Sequence, residues 1–164
     1  MKIGIVADTH DNLDVVAAAV DLFDGRVDAV VHCGDIVAPF AATAFDGDYD
    51  FYAVRGNNDG EWALRDAVRS FGAYLGEMGE LSLGGASVAV YHGTSQPIVD
   101  ALVGCGEYDY VLHGHTHQRV HEEENGTVRI NPGGIGTTAD DDGEPPAGVV
   151  LDIDAGEVTF HDLV

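Results

Sequence analysis

Five short polar clusters, each sitting where an apolar run stops, carry the residue types from which metal centres are built: Asp8-Thr9-His10, Gly34-Asp35, Gly56-Asn57, His92-Gly93 and Gly114-His115-Thr116-His117. Asp8, His10, Asp35, Asn57, His92, His115 and His117 offer carboxylates, imidazoles and an amide oxygen, enough ligands for two cations. That donor mixture suits Mn, Fe, Zn, Ni or Co better than Ca or Mg alone, without deciding among them. A carboxylate that bridges two cations needs both oxygens free, and Asp35, preceded by a glycine that lets the backbone come close, is the natural bridge. Asp8 and His10 stand two apart, as do His115 and His117, a spacing that sends both side chains of a pair the same way from an extended turn. The chemistry expected of such a centre is metal-assisted hydrolysis.

Positioning those clusters requires strands that end together. Ile3 to Ala7, Ala29 to His32 and Phe51 to Val54 read as buried strands. A helix over Leu13 to Phe23 follows the first, with Asp11 or Asn12 as N-cap. A short helix near Phe40 to Ala44 and another from Glu61 to about Ser70 complete this half. The second half brings a hairpin of Gly79 to Leu83 and Ala86 to Tyr91 over Gly84-Gly85, a helix from Gln96 to Val103 and a strand from Tyr108 to Leu112. Two more hairpins follow, Gln118 to Glu123 with Thr127 to Ile130 over Asn125-Gly126, and Val149 to Ile153 with Glu157 to His161 over Ala155-Gly156. Asp140 to Glu144 with Pro145-Pro146 is expected to be a mobile loop. Parallel βαβ units followed by antiparallel hairpins predict an α/β fold, a four-layer α-β-β-α sandwich of two mixed sheets flanked by helices. All five clusters then fall beyond the carboxyl ends of strands, where α/β sheets collect functional groups. No internal repeat or linker interrupts residues 1–164, so a single domain is expected.

Composition bounds the partners. With 29 Asp and Glu against 7 Lys and Arg, the formal net charge is −22, and Lys2 is the one lysine. Such a chain repels itself in dilute buffer, whereas molar salt cuts the screening length to roughly 3 Å. This balance reads as halophilic, an adaptation to a high-salt cytosol. It also disfavours a stable nucleic-acid complex, which draws its affinity from cations on phosphates. MKIGIVADTH lacks the apolar core and cleavage site of a signal peptide, no run reaches membrane-spanning length, and Cys33 and Cys105 give no reason to propose a disulfide. The expectation is a cytoplasmic protein without a membrane partner. Edge strands and exposed apolar residues leave room for a homo-oligomer.

In this order, D-x-H, GD, GN, H-G and G-H-x-H resemble the signature of the calcineurin-like metallophosphoesterases, over residues 1 to about 135. The shortness of the chain and Asn131-Pro132-Gly133 after the last motif resemble the small single-domain prokaryotic phosphodiesterase subfamily. The resemblance implies one cation on Asp8, His10, Asp35 and His117 and a second on Asp35, Asn57, His92 and His115. A hydroxide between them would attack phosphorus, so Asp35 is catalytic as the bridge and the substrate is a small phosphodiester. Many relatives carry His directly after the Asn of the GN motif, implicated in protonating the leaving oxygen. This sequence has Asn58 in that catalytic place, with Asp59 next, and an amide is no general acid. Substrates with good leaving groups are therefore expected. Arg55 and Asp59 are candidates for substrate or supporting contacts, His32 and His113 for groups behind the ligands, and Cys33 for a small core residue. The competing reading is an interaction scaffold like the retromer sorting subunit, similar in fold, although every expected ligand position here holds a competent residue.

Overall fold

A computed structural model of the chain describes residues 1–60, 62–134 and 144–163. In chain order the elements are β1 (Lys2–Val6), α1 (Leu13–Phe23), β2 (Ala29–His32), α2 (Pro39–Thr43), β3 (Asp50–Val54), α3 (Trp62–Arg69), β4 (Ala73–Gly76), β5 (Met78–Leu83), β6 (Ala86–Tyr91), α4 (Gln96–Gly104), β7 (Tyr110–Leu112), β8 (Arg119–Glu124), β9 (Thr127–Pro132), β10 (Ala147–Asp152) and β11 (Glu157–Asp162). Glu61, expected to start α3, and residues 140–143 of the expected mobile loop lie outside the described residues. No helix among the described residues is long and apolar enough to cross a membrane.

The strands form a six-stranded sheet in the order β11-β10-β1-β2-β3-β4 and a five-stranded sheet in the order β5-β6-β7-β9-β8. Pleat alternation sends Ile3 and Ile5 of β1 one way and Val6 the other. Ile3, Ile5, Val31, Val149 and Leu151 of the first sheet meet Val88, Val90, Leu112 and Ile130 of the second in the central core. Val6, Val30 and Ala53 pack against Val15, Ala19 and Phe23 of α1 and Leu64 and Val68 of α3. Ala89 and Val111 pack against Val103 of α4 on the far side. The result is the expected four-layer α-β-β-α sandwich.

Two features differ from the sequence reading. β4 was not expected, because Ala73–Gly76 is four residues long, half-buried throughout and bounded by turn-forming glycines. It exists as the parallel neighbour of β3, a pairing that no local periodicity announces. The sequence reading also assigned no hairpin to a sheet. β10 returns to lie antiparallel to β1, with Ile3 opposite Leu151, while β6, β7 and β9 are parallel. What recruits β10 is its apolar inner face, since Val149 and Leu151 fill the same core layer as Ile3 and Ile5.

Candidate metal centre

The ligand loops leave β1, β2, β3, β6 and β7 at their carboxyl ends, and neighbouring loops extend the strand ladder. The Asp8, His10 and Asp11 N–H groups donate to Gly34, Asp35 and Ile36 carbonyls at 3.0, 3.0 and 3.2 Å. Asn12 caps α1 by accepting from the Asp14 and Val15 N–H groups, whereas Asp11 accepts from the Ala38 N–H at 2.8 Å and so ties the first loop to the second.

The backbone here is not extended, which corrects the expected reason for the two-residue spacing. Asp8, His10, Asp35, His115 and His117 have φ of 53°, 43°, 58°, 69° and 57°, all in the left-handed region. Val37, with φ 83°, is costlier still because its side chain is β-branched. The paired side chains share a direction because alternate residues are left-handed, not because of a pleat. Close approach demands glycine at two positions. A Cβ on Gly56 would collide with the Asp35 carboxylate, and one on Gly34 would lie 2.7 Å from His92 Nδ1.

The structure brings Asp8, His10, Asp35, His92 and His117 together and sets Asn57 and His115 against His92. Asp8 Oδ1 lies 3.8 Å from His10 Nε2, 3.9 Å from His92 Nε2 and 3.5 Å from His117 Nε2. Asp35 Oδ2 is 3.4 Å from both His10 Nε2 and His92 Nε2. Asn57 Oδ1 faces His92 Nε2 at 3.1 Å, and the His115 ring meets the His92 ring edge-on, centroids 5.2 Å apart. The ligand atoms of Asp8, His10 and His117 fall within 4.8 Å of one another, as do those of Asp8, Asp35 and His92. Asp8 belongs to both groups, and Asp35 reaches one imidazole of each.

These atoms fit cations better than they fit each other. Two ligands each about 2.0–2.2 Å from one ion are themselves separated by roughly 3–3.5 Å, near the spacings observed and longer than good hydrogen bonds. Asp8 Oδ1 and His10 Nε2 are buried without a hydrogen-bond partner. His92 Nδ1 donates to the Cys33 carbonyl at 2.8 Å, which fixes the proton on Nδ1 and leaves the Nε2 lone pair facing the carboxylates and the Asn57 oxygen. Opposing lone pairs at that distance require a cation or a proton between them.

The electrostatics agree. Burial pushes the Asp35 carboxyl up, but the His92 imidazole beside it and the hydrogen bonds from Asn58 hold it well below its ordinary value. Burial likewise raises Asp8, and His10 and His117 bring it down. Asp8 in turn raises His10 and His117.

Asn58, which is exposed, and Asp59, which is buried, both bond to the loops of the centre. The Asn58 backbone N–H donates to Asp35 Oδ1 and its Nδ2 to Asp35 Oδ2, both at 2.8 Å. Asp59, 5% exposed, accepts from the Asp35 and Gly56 N–H groups at 3.0 and 2.7 Å through Oδ2 and from the Val37 N–H at 2.7 Å through Oδ1. Arg55 makes an ion pair with Glu77 at 2.8 Å.

His32 and His113 stand behind the ligands as expected. The Gly34 N–H donates to His32 Nδ1, so Nε2 carries the proton toward Thr9 Oγ1. Burial pulls His32 down to about 3. Burial and then Arg129 pull His113 down to about 4. Asn131, which sequence reasoning used only as a subfamily mark, clamps the last ligand loop by donating to the Gly114 carbonyl and Thr116 Oγ1, both at 3.0 Å.

Residues 1–156 match the family model of the calcineurin-like phosphoesterase superfamily domain. Phosphodiesterase MJ0936 of Methanocaldococcus jannaschii is 36% identical over 138 residues, which are 81% of this chain and 83% of that protein. The probable metallophosphoesterase YsnB of Bacillus subtilis is 25% identical over 168 residues, covering 99% of this chain and 91% of its own. A solved structure described as a novel archaeal phosphodiesterase superposes with a TM-score of 0.90 at 32% identity, covering 98% of this chain and 99% of that one. Vps29 of Chaetomium thermophilum, at 16% identity, TM-score 0.71 and 98% and 96% coverage, shares the fold alone.

Proposed function

Because the chain belongs to the calcineurin-like phosphoesterase superfamily, we propose that it is a dinuclear-metal phosphodiesterase. The observation that carries this reading is the buried Asp8 Oδ1, without a hydrogen-bond partner and within 3.9 Å of the Nε2 atoms of His10, His92 and His117. Asp8, His10, Asp35 and His117 would hold one cation and Asp35, Asn57, His92 and His115 the other, with Asp8 placed against both groups. When bound, two divalent cations, manganese foremost, supply a water of lowered pKa as the nucleophile and positive charge for the phosphoryl oxygens.

The chain's own residues prepare the site. The Cys33 carbonyl keeps the His92 lone pair aimed inward. Asn58 holds both Asp35 oxygens in place and brings no acid to the leaving oxygen, which favours diesters whose leaving groups depart unprotonated. The printed names of the archaeal relatives support a phosphodiester as substrate. A complete ligand set weighs against the scaffold alternative. We extend the proposal to a cytosol of high salt, which the net charge of −22 favours.

The test is hydrolysis of bis(p-nitrophenyl) phosphate in molar salt with Mn²⁺, by the wild-type protein and Asp35→Ala. Activity that vanishes with Asp35 supports the reading. A folded protein that binds Mn²⁺ and leaves the ester intact refutes it and turns attention to the scaffold.

A further inference from the structure

The large hydrophobic residues exposed among the described residues are Leu13, Phe40, Trp62 and Ile98, at 52%, 58%, 68% and 46%. Exposed apolar side chains scattered singly need no explanation, but these are not scattered. Leu13 is the first residue of α1, Phe40 the second of α2, Trp62 the first of α3 and Ile98 the third of α4. Each therefore sits in the first turn of the helix that follows a ligand loop, after Asp8, Asp35, Asn57 and His92 respectively. Helical Cα–Cβ bonds tilt toward the helix N-terminus, so first-turn side chains lean toward the strand ends where the ligands gather. The first three junctions are also tied together, since Asp11 accepts from the Ala38 N–H, Asp59 accepts from the Val37 N–H, and α2 packs on α3.

Resting on the phosphodiesterase reading, we infer that Leu13, Phe40 and Trp62, with Ile98 on the α4 side, form an apolar rim that selects diesters carrying an aromatic arm. The phosphoryl group is placed at the ligands, and its second ester arm leaves the centre past this rim. A surface with a net charge of −22 repels an anionic arm, while Phe40 and Trp62 offer flat faces on which an uncharged ring stacks.

The experiment compares kcat/KM for bis(p-nitrophenyl) phosphate and methyl p-nitrophenyl phosphate with Mn²⁺ in molar salt. Both esters lose the same leaving group and differ in the arm that stays. The readout is the change in their ratio between proteins, which cancels intrinsic reactivity. Phe40→Ala and Trp62→Ala are each expected to lower the aryl-over-methyl ratio by about tenfold, the worth of one stacked ring, mainly through KM. Trp62→Phe retains most of the ratio. Hydrolysis of both esters with a ratio unmoved by either alanine overturns the inference. Failure of the wild type on both esters overturns the phosphodiesterase reading and the inference with it.

Discussion

Asp59 makes no contact that its exposure would advertise, yet its removal should be among the most damaging single changes near the centre. Its two oxygens accept three backbone N–H groups, from Asp35, Gly56 and Val37, and so hold the loops after β2 and β3 in mutual register. Asp59→Asn preserves volume but leaves one accepting oxygen, which can keep the Asp35 and Gly56 donors while the new NH₂ faces the Val37 N–H. One buried donor then loses its partner, at about 1–3 kcal/mol, and the other two bonds lose their charge assistance. Burial pushes the Asp59 carboxyl pKa up, a sign that holding the charge inside already offsets part of this gain. The expected net loss is about 2–3 kcal/mol for Asp59→Asn and about 3–5 kcal/mol for Asp59→Ala, which strands all three donors.

Urea unfolding at fixed molar salt, with both proteins free of Mn²⁺, measures the loss. With a slope of about 2 kcal/mol per molar, the Asn variant's midpoint should fall by about 1 M or more. Calorimetric titration of Mn²⁺ into folded Asp59→Ala should show affinity falling by about tenfold or more, because Asp35 loses the partner of its own amide. An Asp59→Ala protein within about 0.5 kcal/mol of wild type would refute the claim that these three bonds brace the site.

Three further outcomes follow from the same geometry. Asn58→His removes the amide that donates to Asp35 Oδ2 at 2.8 Å while adding a proton donor, so turnover on poor alkyl leaving groups should rise relative to aryl ones as Mn²⁺ affinity drops. Steady-state rates on the two ester types check this, and an equal effect on both defeats it. Val37→Gly relieves a β-branched residue at φ 83° and should raise stability by about 0.5–1 kcal/mol after the extra freedom of the unfolded glycine is counted, measured by thermal unfolding. Acid sensitivity should trace partly to His32, whose folded pKa of about 3 lies below the ordinary 6.5. The unfolded chain binds that proton first, so this contribution to stability is whole above pH 6.5 and declines by up to about 1.4 kcal/mol per pH unit as pH falls toward 3. His32→Gln should therefore lose less stability than wild type between about pH 6 and pH 4, and parallel curves would exclude the effect.

How much of this was legible in the chain depended on the range of the interactions. Hairpins such as β8–β9 are set by the local turn Asn125-Gly126, whose φ values of 53° and 86° suit those two residues, and they were read with their register nearly intact. The residues gathered at the candidate centre were legible because metal chemistry restricts residue types and strand ends announce themselves. What escaped was written in contacts between distant segments. The roles of Asp59 and Asn58 arise from hydrogen bonds to residues more than twenty positions away. The left-handed conformations at Asp8, His10, His115 and His117, which Asp and His tolerate better than most residues, go with bonds between loops such as Asp8 N–H to Gly34 and His10 N–H to Asp35. β4 and the place of β10 depended on which strand edge was left open.

That last pairing orders events during synthesis. β1 is an interior strand, bonded to β2 on one side and to β10 on the other, and β10 is made last but one among the strands. A ribosome releasing the chain at about 5–20 residues per second exposes β1, β2 and β3 early, with the β1 edge bare until residues 147–152 emerge. Throughout that interval Ile3 and Ile5 lack their Val149 and Leu151 layer. The nascent chain thus carries an open, apolar strand edge through most of its translation, the kind of edge on which neighbouring copies could pair.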